Sequence, residues 1–191
     1  MVTHGCSIIP PYVLEALEAS GDPVLRRHAR STMEQDAELR RHRGAPTAAT
    51  PRPGAERPSA AEEQVPGRPD RTVFDARGRT TLPGQRVRGE GDPDTGDIAV
   101  DEAYAGLGAT HALWWAEYGR DSLDGRGLPL LATVHYGRGY DNAFWDGDQM
   151  VSGDGDGVVF GRFTASLDVI GHELAHGVTQ YTSGLVYRGK P

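Results

Sequence analysis

Between residues 44 and 69 the chain carries six prolines and no aromatic residue. Proline has no amide hydrogen and fixes φ near −65°, so such a stretch cannot continue a helix or lie inside a sheet. It also offers no large apolar side chain to a core. Residues 44–70 therefore read as an extended, exposed linker, open to proteases. This break sets the organisation: an N-terminal segment, 1–43, and a domain that opens at about Arg71 and runs to 191.

The apolar fraction, 37%, is low, as expected where part of the chain joins no core. Of the charged side chains, residues 71–191 hold 17 acidic and 11 basic ones, so the net charge of −7 lies almost wholly in the domain. An acidic domain without a basic patch argues against a nucleic-acid partner. No run of about 18 apolar residues is present, so no membrane-spanning helix is expected. Met1 to Pro11 lacks a basic start followed by an apolar stretch, so it is not a standard secretory signal, and the residues alone are compatible with the cytoplasm. Cys6 is the single cysteine, which excludes an intrachain disulfide and leaves the redox compartment unread.

Pro10 and Pro11 followed by Val13–Ala19 predict a short helix within 7–19. Asp22 and Pro23 suit the N-cap and first residue of a second helix, reaching about Arg41, with Leu25, Ala29, Met33 and Ala37 as a thin apolar stripe. In the domain, Thr72–Asp75 reads as a strand of a hairpin, and Leu130–Tyr136 as a second strand. Asp97 can cap a helix from Ile98 to about Tyr118, with Val100, Tyr104, Leu107, His111, Trp114 and Tyr118 on its buried side and Gly119 at its end. Residues 142–147 and 152–157 are dense in turn formers. Ser166 can cap a last helix, Leu167 to about Tyr181, whose apolar stripe is Ile170, Leu174, Val178 and Tyr181.

On that last helix lies His172-Glu173-Leu174-Ala175-His176. Each helical residue turns by about 100°, so two histidines four apart stand nearly above one another and can share one metal ion. Glu173 can hold and deprotonate a water bound there. The pattern is the zinc-peptidase signature, and by itself it also fits two surface histidines on a helix.

The residues around it sharpen the reading. Asn142-Ala143-Phe144-Trp145-Asp146-Gly147, Gly153-Asp154-Gly155-Asp156-Gly157, Asp168 to Thr179 and Tyr181 to Tyr187 together closely resemble the thermolysin-like metalloendopeptidases. The resemblance covers about residues 71–190, the N-terminal lobe of that family's catalytic unit. Ser7-Ile8-Ile9-Pro10-Pro11-Tyr12 resembles the short propeptide of the protealysin-like branch. The implied fold is α+β: a zincin N-terminal lobe, β-rich, with a long helix and the active-site helix at its C-terminal end, preceded by a short helical propeptide.

The same resemblance implies the roles. His172 and His176 would be zinc ligands and Glu173 the general base. Asn142 and Ala143 match positions that hold substrate backbone as an added strand, with Trp145 beside them. Tyr187 matches a tyrosine that donates to the oxyanion. Asp168 matches a calcium-binding carboxylate whose partners would lie past residue 191. The third zinc ligand, a Glu on the next helix, and a histidine assisting Tyr187 would also fall beyond Pro191. A truncated precursor is therefore expected, binding zinc weakly and needing a helical C-terminal lobe for activity. In that form the apolar face of Ile170, Leu174 and Val178 is expected to be exposed. Its substrates would be proteins or peptides, and the family suggests secretion. The alternatives are a catalytically inactive fragment, or a non-enzymatic inhibitor or chaperone of a related peptidase.

Cys6 carries a sharper idea. A thiolate favours zinc and can fill an open coordination position until the propeptide is cut. Asp154-Gly-Asp156-Gly lacks the closing Glu of an EF-hand and reads as tight turns beside the cleft. His111, His135 and the Trp114-Trp115 pair read as packing residues, and Arg26, Arg27, Arg40 and Arg41 as a solvated helix face.

Overall fold

The computed structural model describes residues 8–43 and 65–183; Cys6, Tyr187 and most of the linker lie outside them. Helix α1 spans Pro11–Glu18 and α2 Pro23–Arg43. As its position dictates, Asp22 Oδ1 accepts from the Val24 and Leu25 amides at 2.7 and 3.3 Å, closing the N-terminus of α2. The expected stripe is buried at Ala29 and half-buried at Leu25, Met33 and Ala37, and the buried face takes in the polar residues Thr32 and Asp36 beside it. Apolar periodicity alone does not mark this face, because it is partly polar.

The domain is built on one mixed sheet. Its strands are β1 (Arg71–Asp75), β2 (Gln85–Gly89), β3 (Leu130–Val134), β4 (Ala143–Trp145) and β5 (Met150–Ser152), ordered β2-β1-β3-β5-β4. β1–β2 and β4–β5 are antiparallel, while β1–β3 and β3–β5 are parallel. β3 stops at Val134, short of the expected Tyr136, because His135 takes φ of 54° and turns the chain. The stretch 142–147, dense in turn formers, contains β4, which pairs with β5 in a hairpin that ends at Ser152.

Helix α3 (Ile98–Tyr118) links β2 to β3. Asp97 Oδ1 caps it on the Ala99 and Val100 amides, and Gly119 ends it in the left-handed conformation. Arg71 and Arg88 each hold a guanidinium carbon 3.8 Å from the centre of the Tyr104 ring, tying α3 to β1 and β2. Helix α4 (Leu167–Ser183) follows a short 3-10 turn, Phe163–Ala165, and crosses α3 closely: a Cβ on Gly106 would collide with Ile170.

The main core lies between the sheet and these two helices. Val73, Leu107, Leu130, Val134, Met150, Ile170 and Leu174 form its centre. Alternation along the strands splits the hairpin between two faces: Ala143, Trp145 and Met150 join the main core, while Phe144 and Val151 join Tyr136 and Tyr140 on the other side. There the rings of Tyr136, Tyr140 and Phe144 meet edge to face, 5.2 to 6.0 Å apart. Ile170 and Leu174 are 1% and 0% exposed, so the expectation that this face lies open is overturned: it packs into the lobe's own core. The exposed apolar residues of α4 are Leu167 and Tyr181. No described helix is long and apolar enough to cross a membrane.

Candidate metal centre and cleft

The sequence places His172 and His176 one turn apart on α4, and their side chains converge. The two Nε2 atoms stand 3.2 Å apart, with ring centroids 4.9 Å apart and planes at 81°. Glu173 is fully buried beside them, and one ligand atom from each of the three lies within 4.8 Å of the others. Among the described residues no other group of histidine, cysteine and carboxylate is gathered this way. The spacing fits a shared ion. Two nitrogens each about 2.1 Å from a tetrahedral zinc stand roughly 3.4 Å apart.

The helix is held to the sheet beside this pair. Trp145 Nε1 donates to Gln180 Oε1 at 3.0 Å, and Gln180 Nε2 donates to the Gly147 carbonyl at 3.0 Å. Gly177 brings α4 close to Trp145 and Leu123, where a Cβ would intrude. The indole thus serves packing and one hydrogen bond. Gln180 is a residue that the sequence offered no reason to single out, because an exposed glutamine near a helix end has no pattern of its own.

β4 ends the sheet, and its edge is already occupied. Ile9 N–H donates to Asn142 Oδ1 at 2.9 Å, Asn142 Nδ2 donates to the Ile9 carbonyl at 3.4 Å, and Ile8 N–H donates to the Ala143 carbonyl at 3.4 Å. The segment before α1 therefore pairs with Asn142 and Ala143 much as an added strand would. Both residues are fully buried in this state. A polar asparagine with no solvent access is satisfied by this pairing and by the Ala143 amide at 3.0 Å.

Other residues fall as follows. Asp168 is exposed on the first turn of α4 and joins no metal-capable cluster among the described residues. Asp156 Oδ1 accepts from the Val158, Val159 and Phe160 amides at 2.8 to 2.9 Å, so the Asp-Gly repeat is a tight turn, as read. Burial would raise the Asp156 carboxyl, but these amides and His28 hold it below its ordinary value. His135 lies 2.8 Å from Asp154 and 3.1 Å from Asp97; the hydrogen bond and charge of Asp154, then those of Asp97, push it up to about 9. His111 is buried against Asp121 at 3.2 Å. Trp114 is half-buried against the core and Trp115 lies at the rim.

Comparison with known proteins agrees with this geometry. Residues 69–180 match the family described as thermolysin metallopeptidase, catalytic domain. The chain is 47% identical over 184 residues to a protein named extracellular metalloprotease from Pectobacterium carotovorum subsp. carotovorum, covering 95% of this chain and 49% of that protein. It is 56% identical over 117 residues to Protease PrtS from Photorhabdus sp. (strain Az29), covering 61% of this chain and 32% of that one. The solved precursor of protealysin, a metalloproteinase from Serratia proteamaculans, superposes with a TM-score of 0.77 at 42% identity, over 95% of this chain and 49% of its own. The chain thus spans about half the length of the curated relative matched along nearly all of it.

Proposed function

Since this chain belongs to the thermolysin metallopeptidase family, we propose that it supplies the propeptide and N-terminal lobe of a zinc-dependent endopeptidase acting on proteins or peptides. In this reading residues 1–43 are the propeptide, 44–70 the linker and 71–191 the lobe. The observation that carries it is the pair of imidazole nitrogens 3.2 Å apart beside buried Glu173, on the helix bound to β4.

His172 and His176 hold the metal, and the family's glutamate, from outside residues 1–191, completes the set. Zinc, when bound, supplies a Lewis acid that acidifies water and polarises a carbonyl. Glu173 takes the proton from the attacking water and passes it to the leaving amine. Its burial excludes competing solvent from that exchange. Asn142 and Ala143 align the substrate backbone along the β4 edge, and Tyr187 donates a hydrogen bond to the developing oxyanion. Asp168 serves calcium only alongside carboxylates from outside residues 1–191.

Ile8 and Ile9 occupy the edge that this reading assigns to substrate, so the intact chain is a latent form. Cys6, outside the described residues, is a candidate thiolate for the open coordination position until the linker is cut, the alternative being an inert thiol. The relative named an extracellular metalloprotease supports secretion as the setting in which cutting occurs.

Zinc titration tests the metal assignment. The chain should take up one zinc per molecule, and His176→Ala should abolish it; equal uptake by both would remove the assignment. In the assembled catalytic unit Glu173→Gln should retain zinc and lower peptide cleavage about a thousandfold.

A further inference from the structure

Where α2 meets the lobe, a carboxyl is sealed into the contact without a donor. The Asp141 side chain is 1% exposed, and neither of its oxygens has a hydrogen-bond partner among the described residues. Its own backbone N–H donates to Thr32 Oγ1 at 2.8 Å, and the Thr32 hydroxyl donates to the Gly139 carbonyl at 3.3 Å. α2 therefore lies directly across the residue. His28, one turn earlier on α2, places Nδ1 3.9 Å from Asp141 Oδ2, beyond hydrogen bonding, and that nitrogen is itself buried without a partner among the described residues. Gly139 makes room for this ring: a Cβ there would press on it.

The other charged groups around the contact are accounted for. Asp156, in the loop after β5, acts on Asp141 through its like charge, and its second oxygen is also buried without a partner among the described residues. Asp36, two turns from His28 on α2, accepts the Tyr140 hydroxyl at 2.6 Å. Arg138 stands in the same loop but runs its side chain beside Gly78. Ile8 and Ile9 bring no charge.

A carboxylate buried without donors is costly, whereas the neutral acid is tolerated. Burial first, then the Asp156 charge, pushes Asp141 up to about 7. We propose that docking of the α1–α2 segment on the 136–142 loop is proton-linked, with Asp141 holding a proton while α2 covers it and the contact loosening when that proton leaves. The lobe's receiving surface is thereby specific for its own N-terminal segment in a protonated state, and release is favoured as pH rises.

The sign follows from proton counts. With α2 away, Asp141 relaxes toward the ordinary aspartate value of 3.8; with α2 docked it keeps its proton to about 7. The docked form binds more protons across that window, so docking weakens as pH rises through it, by up to about tenfold per unit. Below about 4 and above about 7 the dependence on Asp141 ends.

Amide hydrogen exchange on the full chain tests this, with α2 protection corrected for intrinsic exchange and compared with that of α3. From pH 5 to 7, α2 should lose protection by up to about a hundredfold while α3 holds its own. Asp141→Asn should remove most of that slope, and His28→Gln should leave it. Should Asp141→Asn not fold, Asp156→Asn keeps the oxygen that caps the loop, and should move the upper end of the window to lower pH. A flat α2 profile in the parent, a slope that survives Asp141→Asn, or a slope lost in His28→Gln would overturn the proposal. The readout needs neither zinc nor cleavage, so it stands apart from the peptidase reading.

Discussion

Inside the lobe, Leu107, Leu130, Val134, Ile170 and Leu174 are closed off from water against one another. Across the contact between α2 and the lobe, the buried side chains are Ala29, Thr32 and Asp36, answered by Tyr140 and Asp141, with Leu39 partly buried against the Tyr136, Tyr140 and Phe144 cluster. Apolar burial is non-directional and strong in sum, so the lobe has the means to hold its own shape. Hydrogen-bonded contacts contribute about 1 kcal/mol each on balance, but only in one geometry. The N-terminal segment is thus seated accurately and held modestly. The proposed latent form, in which the segment blocks the cleft and later leaves, needs that combination.

The largest expected effect comes from breaking the lobe's side of this contrast. Leu174 is fully buried on α4 between the two ring-bearing positions, His172 and His176. Leu174→Ala leaves a cavity in the main core and should cost about 3 kcal/mol. Chemical denaturation of the whole chain should show it as a lower midpoint. A loss below about 1 kcal/mol would mean that α4 is not supported by the core in the way described. Because α4 also carries the histidines, zinc affinity should fall with stability in this variant.

A polar tie inside the lobe gives the intermediate case. His135 bridges Asp97, the cap of α3, to Asp154 beyond β5, and its folded value of about 9 lies above the ordinary 6.5. A raised value means that the charged form is favoured by folding. Its stabilisation is complete below about 6.5 and is lost as pH rises through about 9. After a discount for partial solvent exposure, about 2 kcal/mol is expected. His135→Asn tolerates the left-handed backbone but is too short to reach both aspartates. Stability of the parent should fall between pH 6.5 and 9, while the variant should be flat there and match it above. A parallel pair of curves would assign the tie to something else.

The contrast also explains what could be read from the sequence. The long capped helix and the helix of the two histidines follow from periodicity and caps, and the α+β fold from the resemblance to the thermolysin-like metalloendopeptidases. Asp97, Gly119, His172, Glu173 and His176 each stand in a pattern that fixes their place. His172 and His176 converge because residues four apart stand on one face of a helix. The α2 face was not legible, because Thr32 and Asp36 look like solvent-facing residues until the 136–142 loop is folded against them. The β4–β5 hairpin was hidden for a similar reason: its strands are three residues each, below the length at which alternation can be recognised. Gln180 and Asp141 depend on partners about 35 and 109 residues away, and no local signal records such pairs.

The smallest expected effect isolates the seating of α2. Thr32 is fully buried, and its hydroxyl both donates to Gly139 and accepts from Asp141 N–H. Thr32→Val keeps the shape and removes both bonds, leaving a backbone carbonyl and amide of the lobe to find water. The cost should be about 1 kcal/mol and should fall on docking alone. Amide exchange in α2 should quicken by about fivefold at pH 6 while α3 is unchanged. The effect belongs to docking because both lost partners are lobe backbone groups that α2 covers, and once α2 lifts, solvent satisfies them equally in both proteins. If α3 loosened to the same extent as α2, segment and lobe would be unfolding as one unit, and the division between a self-sufficient lobe and a detachable segment would fail.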